Sequence, residues 1–219
     1  QTGSLDQRIT DCQHCPRIRA YQRQNIARYP DYWNRPVTGS GPPSTLTIVG
    51  LAPGLHGANK TGIPFTGDAS GELLFRTLKG LNLIDKVRIT NAVKCAPPQN
   101  KPLTSERKNC RKFLRLELAE LFVPFVPSAP SVPSVPSKPT VLFCLGRVAH
   151  EEVLRSLDLT PNNFPFAHGA VHQLKPTQWV VDSYHCSRYN IQTNRLTEPM
   201  FRTALQYAAE LARLNHADI

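Results

Sequence analysis

The sequence predicts an α/β protein built on a mainly parallel, four-stranded sheet. Three observations carry this. Four short apolar runs of strand length punctuate the chain, at 46–49, 87–93, 141–145 and 179–182. Segments with apolar residues at helical spacing stand between and after them. Strands alternating with helices form right-handed βαβ units, which align the strands in parallel. Ligands of such sheets sit beyond the carboxyl ends of the strands. The loops at 50–68, 91–100 and 183–195 are therefore where a site is expected.

Residues 1–30 read as helix broken at the Cys12-x-x-Cys15-Pro16 turn, and 36–43 as a proline-bounded loop. Leu46–Val49 is the first strand. Asp68 offers a helix cap before Leu73, Leu74 and Leu78, which fall on one helical face. After the second strand, Thr104-Ser-Glu106 opens a long helix to about Leu121, with Leu114, Leu118 and Leu121 on one stripe. Composition then shifts: 123–139 carries a proline about every third residue. Proline lacks a donor and favours an extended backbone, so this reads as an inserted linker within one domain spanning 1–219. Val141–Leu145 is the third strand, and Gly146 turns into a helix ending near Leu157. Trp179–Asp182 is the fourth strand, 183–195 a loop, and Thr197 caps a last helix to about Leu214.

The 219 residues carry 26 Lys and Arg against 16 Asp and Glu, a formal charge of +10. That surplus favours polyanionic partners, above all nucleic acid. No apolar run nears the roughly 20 residues of a membrane helix, and no export signal opens the chain. The expected setting is a reducing one, cytoplasmic and, in a prokaryote, nucleoid-associated, with no membrane partner and the protein a monomer.

Gly54-Leu-His-Gly-Ala-Asn-Lys60-Thr61 falls one glycine short of a phosphate-binding loop, Asn59 standing where the glycine would be. Gly62, Pro64 and Gly67 would break the helix such a loop needs. Asp182 could serve the magnesium of a nucleoside triphosphatase, but that reading is the weaker one.

Of six cysteines, Cys12 and Cys15 are two residues apart, Cys95 follows the second strand, and Cys110 lies on the next helix. Four thiolates can bind zinc or an iron–sulfur cluster. A zinc ribbon usually supplies a second Cys-x-x-Cys, absent here, and a ligand borne on a helix fits a [4Fe–4S] cubane better. Four free thiols are the plain alternative. Cys144, inside an apolar run, reads as a core residue. Cys186, beside His185, has no separate group to orient it as a nucleophile. The stretch 183–197 combines His185, Ser187, Arg188, Tyr189, Asn190, Gln192 and Arg195. Cations for phosphate, amides for base edges and an aromatic to stack suit nucleic acid.

Taken together, Gly50–Asp68, Ile89–Pro98, Asn100–Pro102, Ser183–Ser187 and Thr193–Thr197, with Cys12-x-x-Cys15-Pro-Arg and Tyr32-Trp33, resemble the uracil-DNA glycosylase superfamily. The resemblance is to its family 5, or type b, the iron–sulfur branch. It covers nearly the whole chain apart from the proline-rich insert. It implies a three-layer α/β/α fold and a [4Fe–4S] cluster held structurally by Cys12, Cys15, Cys95 and Cys110. It also implies an enzyme that hydrolyses the glycosidic bond of uracil, and of other deaminated bases, in DNA. A non-catalytic iron–sulfur DNA-binding module is the alternative.

The resemblance assigns roles residue by residue. Other branches place an acidic residue at Leu51 or Ala52. Here both are apolar, and the carboxylate role passes to Asp68, which would hold a water and counter the cationic sugar. His185 would donate to the base oxygen, Asn91 would read the base edge and Phe65 would stack on the ring. Gly54 lets backbone approach the flipped nucleotide. Arg188, Tyr189, Gln192 and Arg195 are the candidates to contact DNA where the base leaves. The family usually has glycine at Asn194, a residue that tolerates positive φ. Lys60 and Ile63 replace arginines common in the family, and Cys186 replaces a proline or valine.

Overall fold

The computed structural model describes residues 3–121 and 138–214. The expected proline-rich linker at 123–139 lies almost wholly outside the described residues. Five strands form one sheet: β1 (Leu46–Gly50), β2 (Arg88–Asn91), β3 (Thr140–Leu145), β4 (Val171–Lys175) and β5 (Gln178–Ser183), in the order β2-β1-β3-β5-β4. The first four in that order are parallel, with Ile48 paired to Ile89 and Phe143, and Phe143 to Val181.

The fifth strand corrects the four-stranded expectation. β4 runs antiparallel to β5 at the sheet edge, and its residues alternate between exposed and half-buried. An edge strand with one wet face needs no continuous apolar run, so Val171-His-Gln-Leu-Lys gave no strand signal.

Period-two alternation divides the core. Leu46, Ile48, Val141, Phe143 and Val181 point to one face, where they meet Leu73, Leu74 and Leu78 of α4 (Ala69–Gly80). Phe201, Leu205 and Ala208 of α8 (Glu198–Leu211) close that layer. Val49, Leu142, Cys144 and Val180 point to the other face. There they meet Leu114 and Leu118 of α5 (Thr104–Leu121) and Val153 and Leu154 of α6 (Arg147–Ser156). Each fully buried leucine contributes about 1.5–3 kcal/mol. The result is the three-layer α/β/α arrangement, with Cys144 in the core as its strand position suggested.

The amino-terminal helices α1 (Leu5–Thr10) and α2 (Pro16–Arg28) break at the Cys-x-x-Cys turn, with Pro16 at the first position of α2. They pack on a small third core of Ile9, Ile18, Val93, Cys110 and Phe113. Among the described residues no helix is long and apolar enough to cross a membrane. β1 lies between β2 and β3, so connections leave it in opposite directions and open a crevice at the strand tips.

Candidate active site

The crevice is a cavity of about 290 Å³ lined by Leu51, Gly54, Phe65, Asp68, Asn91 and His185, with Ser70, Asn100 and Ser187 among the other walls. The tip of β1 supplies Gly50. A β-carbon there would lie 2.4 Å from Asn91 Oδ1 and 2.5 Å from Phe65 Cζ, so only glycine lets these side chains meet above the strand. Asn91 ends β2. Its side chain is buried, and Oδ1 has no hydrogen-bond partner. Buried amide oxygens are almost always paired, so Asn91 keeps an unused acceptor on a side chain that lines the cavity.

Phe65 is buried with φ +57°, a left-handed conformation unusual for a bulky residue. Gly71 makes it possible, since a β-carbon there would strike the Phe65 carbonyl oxygen at 1.7 Å. The Phe65 ring stacks on His185, centroids 6.2 Å apart and planes 29° apart.

Asp68 divides its two oxygens. Oδ1 accepts the Gly71 amide at 2.9 Å and so caps α4, as its sequence position suggested. Oδ2 faces Gly54 and Gly57 across the loop. Capping and a role in the cavity are therefore compatible. His185 follows β5, and its carbonyl accepts Asn190 Nδ2 at 2.8 Å. Burial holds its imidazole below the ordinary value, while the nearby Asp68 charge opposes that shift. A neutral ring suits hydrogen-bond donation.

The near phosphate loop is something else. Ala58–Thr61 is a four-residue helix, α3, closed by Gly62 at φ +78°. Asn59 is buried and its amide donates to Asn34 Oδ1 at 2.9 Å. The exposed Lys60 ammonium lies over the Tyr32 ring, 5.5 Å from its centroid. A tight structural turn explains the motif.

Cys12, Cys15, Cys95 and Cys110 line one apolar-walled pocket with Ile18, Val93 and Phe113. None of the four is joined in a disulfide. Burial pushes Cys15 up, and Cys95 further, with Cys110, Cys12 and Cys15 adding to the shift of Cys95. Cys110 is pushed up to about 12, chiefly by burial, despite the Lys94 amide donating to its sulfur at 3.2 Å. Four thiolates sharing one pocket need a cation to coexist, which is the donor chemistry of a metal centre.

The sequence matches known proteins along the same residues. The family model of the Uracil DNA glycosylase superfamily matches residues 38–126. The type-5 uracil-DNA glycosylase of Thermus thermophilus is 39% identical over 95% of this chain and 97% of its own length. This chain belongs to the uracil-DNA glycosylase superfamily. The type-5 enzymes of Pyrobaculum aerophilum and Mycobacterium leprae are 36% and 34% identical, over 92% and 95% of this chain and 89% and 94% of theirs.

In this superfamily member the structure brings Gly54, Phe65, Asp68, Asn91 and His185 to one cavity. Arg188, Tyr189, Gln192 and Arg195 stand outside it, exposed beside its His185 wall. The loop expected at 183–195 contains a short helix, α7 (Arg188–Gln192), capped by Ser187 Oγ accepting the Asn190 amide. The serine cap was the overlooked signal. Tyr189 is 69% exposed at the helix start, and the Arg195 guanidinium lies over Tyr184, 4.7 Å from its centroid. Asn194 has φ +54°, the conformation for which it substitutes for glycine. Cys186 is buried, its thiol pushed up to about 12 by burial, and donates to the Ser70 carbonyl. It is a packing residue rather than a nucleophile.

Sequence reasoning missed a buried ion pair. Lys94 Nζ contacts Glu117 Oε2 at 2.5 Å and donates to Thr90 Oγ1 and the Asn91 carbonyl, each at 2.7 Å. It braces the strand tip that carries Asn91. Ser70 and Asn100 were also unassigned, and Ser187 was noted only as part of the 183–197 stretch. Asn100, at φ +56°, lay inside a matched segment and could have been noted.

Proposed function

We propose that this protein is a monofunctional uracil-DNA glycosylase that also accepts other deaminated bases, acting on DNA to begin base-excision repair. The carrying observation is the joint presence in one cavity of a carboxylate, a half-buried histidine whose imidazole is held below its ordinary value, an unpartnered buried amide and a stacked aromatic ring. Relatives that match most of the chain are type-5 uracil-DNA glycosylases, which supports the same reaction here.

The base would leave the helix and lie on Phe65, with Asn91 pairing to its edge. As the glycosidic bond lengthens, positive charge grows on the sugar and negative charge on the base. Asp68 Oδ2 offsets the first and orients the water. That water gives its hydroxyl to the anomeric carbon and its proton to the carboxylate or solvent. His185 donates to the base oxygen as charge gathers there. The products are free base and an abasic site. Among the described residues no lysine lines the cavity, which supports hydrolysis without strand cleavage through a Schiff base. Arg188, Tyr189, Gln192 and Arg195 would meet the flanking backbone and the gap left by the base.

The cysteine pocket fits a [4Fe–4S] cluster: four sulfurs, apolar walls and an amide donating to one sulfur. Such a group would supply a structural tie from the Cys12–Cys15 turn to β2 and α5. We further read the chain as one domain over 1–219, working as a monomer in the cytoplasm of a prokaryote.

The experiment is release of uracil from a single-lesion oligonucleotide, extended to hypoxanthine and xanthine. Binding without release would favour a damage-sensing module instead.

A further inference from the structure

Behind the active-site loop lies a second cluster that the proposed chemistry does not use. Asp182 sits on β5 three residues before His185, fully buried. His172 reaches it from the edge strand β4 and His150 from the first turns of α6. Donor atoms of all three lie within 4.8 Å of one another. Phe164 and Phe166 wall the cluster, ring edge against histidine ring.

Two features are poorly explained by ordinary packing. First, His172 Nε2 and Asp182 Oδ2 are both buried and face each other at 3.4 Å, and neither has any other partner. That spacing is long for an N–H···O bond. It equals the roughly 3.3 Å between two ligands of one tetrahedral cation with bonds of about 2.05 Å. Second, the His150 tautomer is fixed from outside the cluster. Its Nε2 lies 2.8 Å from the Phe164 carbonyl oxygen, which can only accept, so Nε2 carries the hydrogen. Nδ1 then faces Asp182 Oδ1 at 2.8 Å, with one proton between them. A backbone carbonyl holding one imidazole nitrogen so that the other faces inward is the usual support of a metal-binding histidine.

We infer that His150 Nδ1, His172 Nε2 and the Asp182 carboxylate form a second metal site, for one divalent cation of the zinc class. Two imidazoles and a carboxylate are the donors zinc prefers among oxygen and nitrogen ligands, water completing the set. The cation replaces the proton shared by His150 and Asp182, which is released to solvent. It fills the open valences of His172 and Asp182 and joins β4, β5 and α6 just before the loop that carries His185. The half-exposed edge at His172 is the way in, its side chain being 14% exposed against 1% and 0% for the other two. The inference is independent of the DNA reading, and it is tested on protein whose cysteine pocket is already filled.

The test uses the full chain as purified with its iron, cleared of loosely held metal by a chelator and then dialysed against Zn²⁺ or Co²⁺. The wild type should retain one zinc per chain with its iron content unchanged, and melt at a higher temperature than before zinc. The cobalt protein should show ligand-field absorption without a thiolate-to-cobalt charge-transfer band, which separates this site from the cysteines. His172→Gln, on the edge strand where folding is least at risk, should lose the retained zinc and the cobalt signal while keeping its iron. Zinc retained equally by His172→Gln, a thiolate band in the cobalt protein, or no retained zinc in the wild type would overturn the proposal.

Discussion

Asp68 and Gly57 are fitted to each other: a single β-carbon on Gly57 would lie 2.4 Å from Asp68 Oδ2. The uncapped oxygen of the proposed catalytic carboxylate is thus held by the shape of the glycine loop, while the other oxygen is held by the start of α4.

Asp68→Asn keeps a capping oxygen and loses the charge. Uracil release should fall by about 10²–10⁴-fold, with the melting temperature little changed. Asp68→Ala loses the cap as well and should cost about 1 kcal/mol of stability in addition. Single-turnover kinetics and thermal melts on both variants separate the two roles. Wild-type rates in Asp68→Asn would remove the residue from the chemistry.

Gly50→Ala tests the crowding above β1. Its methyl group would displace both Asn91 and Phe65. Activity on uracil should drop at least tenfold, while affinity for undamaged DNA, set by contacts outside the cavity, stays close to wild type. An unaffected rate would mean that the two side chains do not hold the base.

Burial holds His185 below its ordinary value of 6.5. Unfolded, the ring takes up a proton near pH 6.5; folded, it does so only at lower pH. Between the two the unfolded state binds more protons, so stability falls as pH drops below about 6.5, levelling off once the folded ring also protonates. His185→Gln should lack this decline. Melts of both proteins from about pH 8 to about pH 5 read the difference directly, and parallel curves would contradict the neutral ring.

Lys94 and Glu117 are 1% and 3% exposed. Lys94→Met leaves Glu117 buried and unpaired, at a cost of about 3–5 kcal/mol, whereas Lys94→Met with Glu117→Leu should recover much of the loss. Denaturant unfolding of both measures this. Equal stability of the single and double variants would show the pair is not coupled.

Cys12→Ser, Cys15→Ser, Cys95→Ser or Cys110→Ser should lower bound iron, and Cys186→Ser should not. Cys144→Ser should keep iron but lose about 1–3 kcal/mol, because a hydroxyl replaces a thiol in a core with no acceptor prepared for it. Elemental analysis beside thermal melts distinguishes the two groups.

What the sequence made legible follows from which signals are local. The inner strands announced themselves because a strand buried on both faces must be apolar throughout, as Val141 to Leu145 is. Asp68 was readable twice, by cap position and by motif. β4 was not, since its polar outer face broke the pattern, and α7 was hidden in a segment too short to show a period. The Lys94–Glu117 pair and the His150–His172–Asp182 cluster could not be read at all. Each joins residues from separate elements, and only the strand order brings them together. Arg188, Tyr189, Gln192 and Arg195 were legible as composition, and the structure leaves them exposed outside the cavity.

The small third core has a further meaning for how the molecule ages. Ile9 and Ile18 rest on little besides Val93, Phe113 and the cysteine pocket. Segments with few buried contacts open first. Oxidative damage at the cysteines would then surface as protease nicks in the leading two helices before any in the described sheet and the helices that cover it.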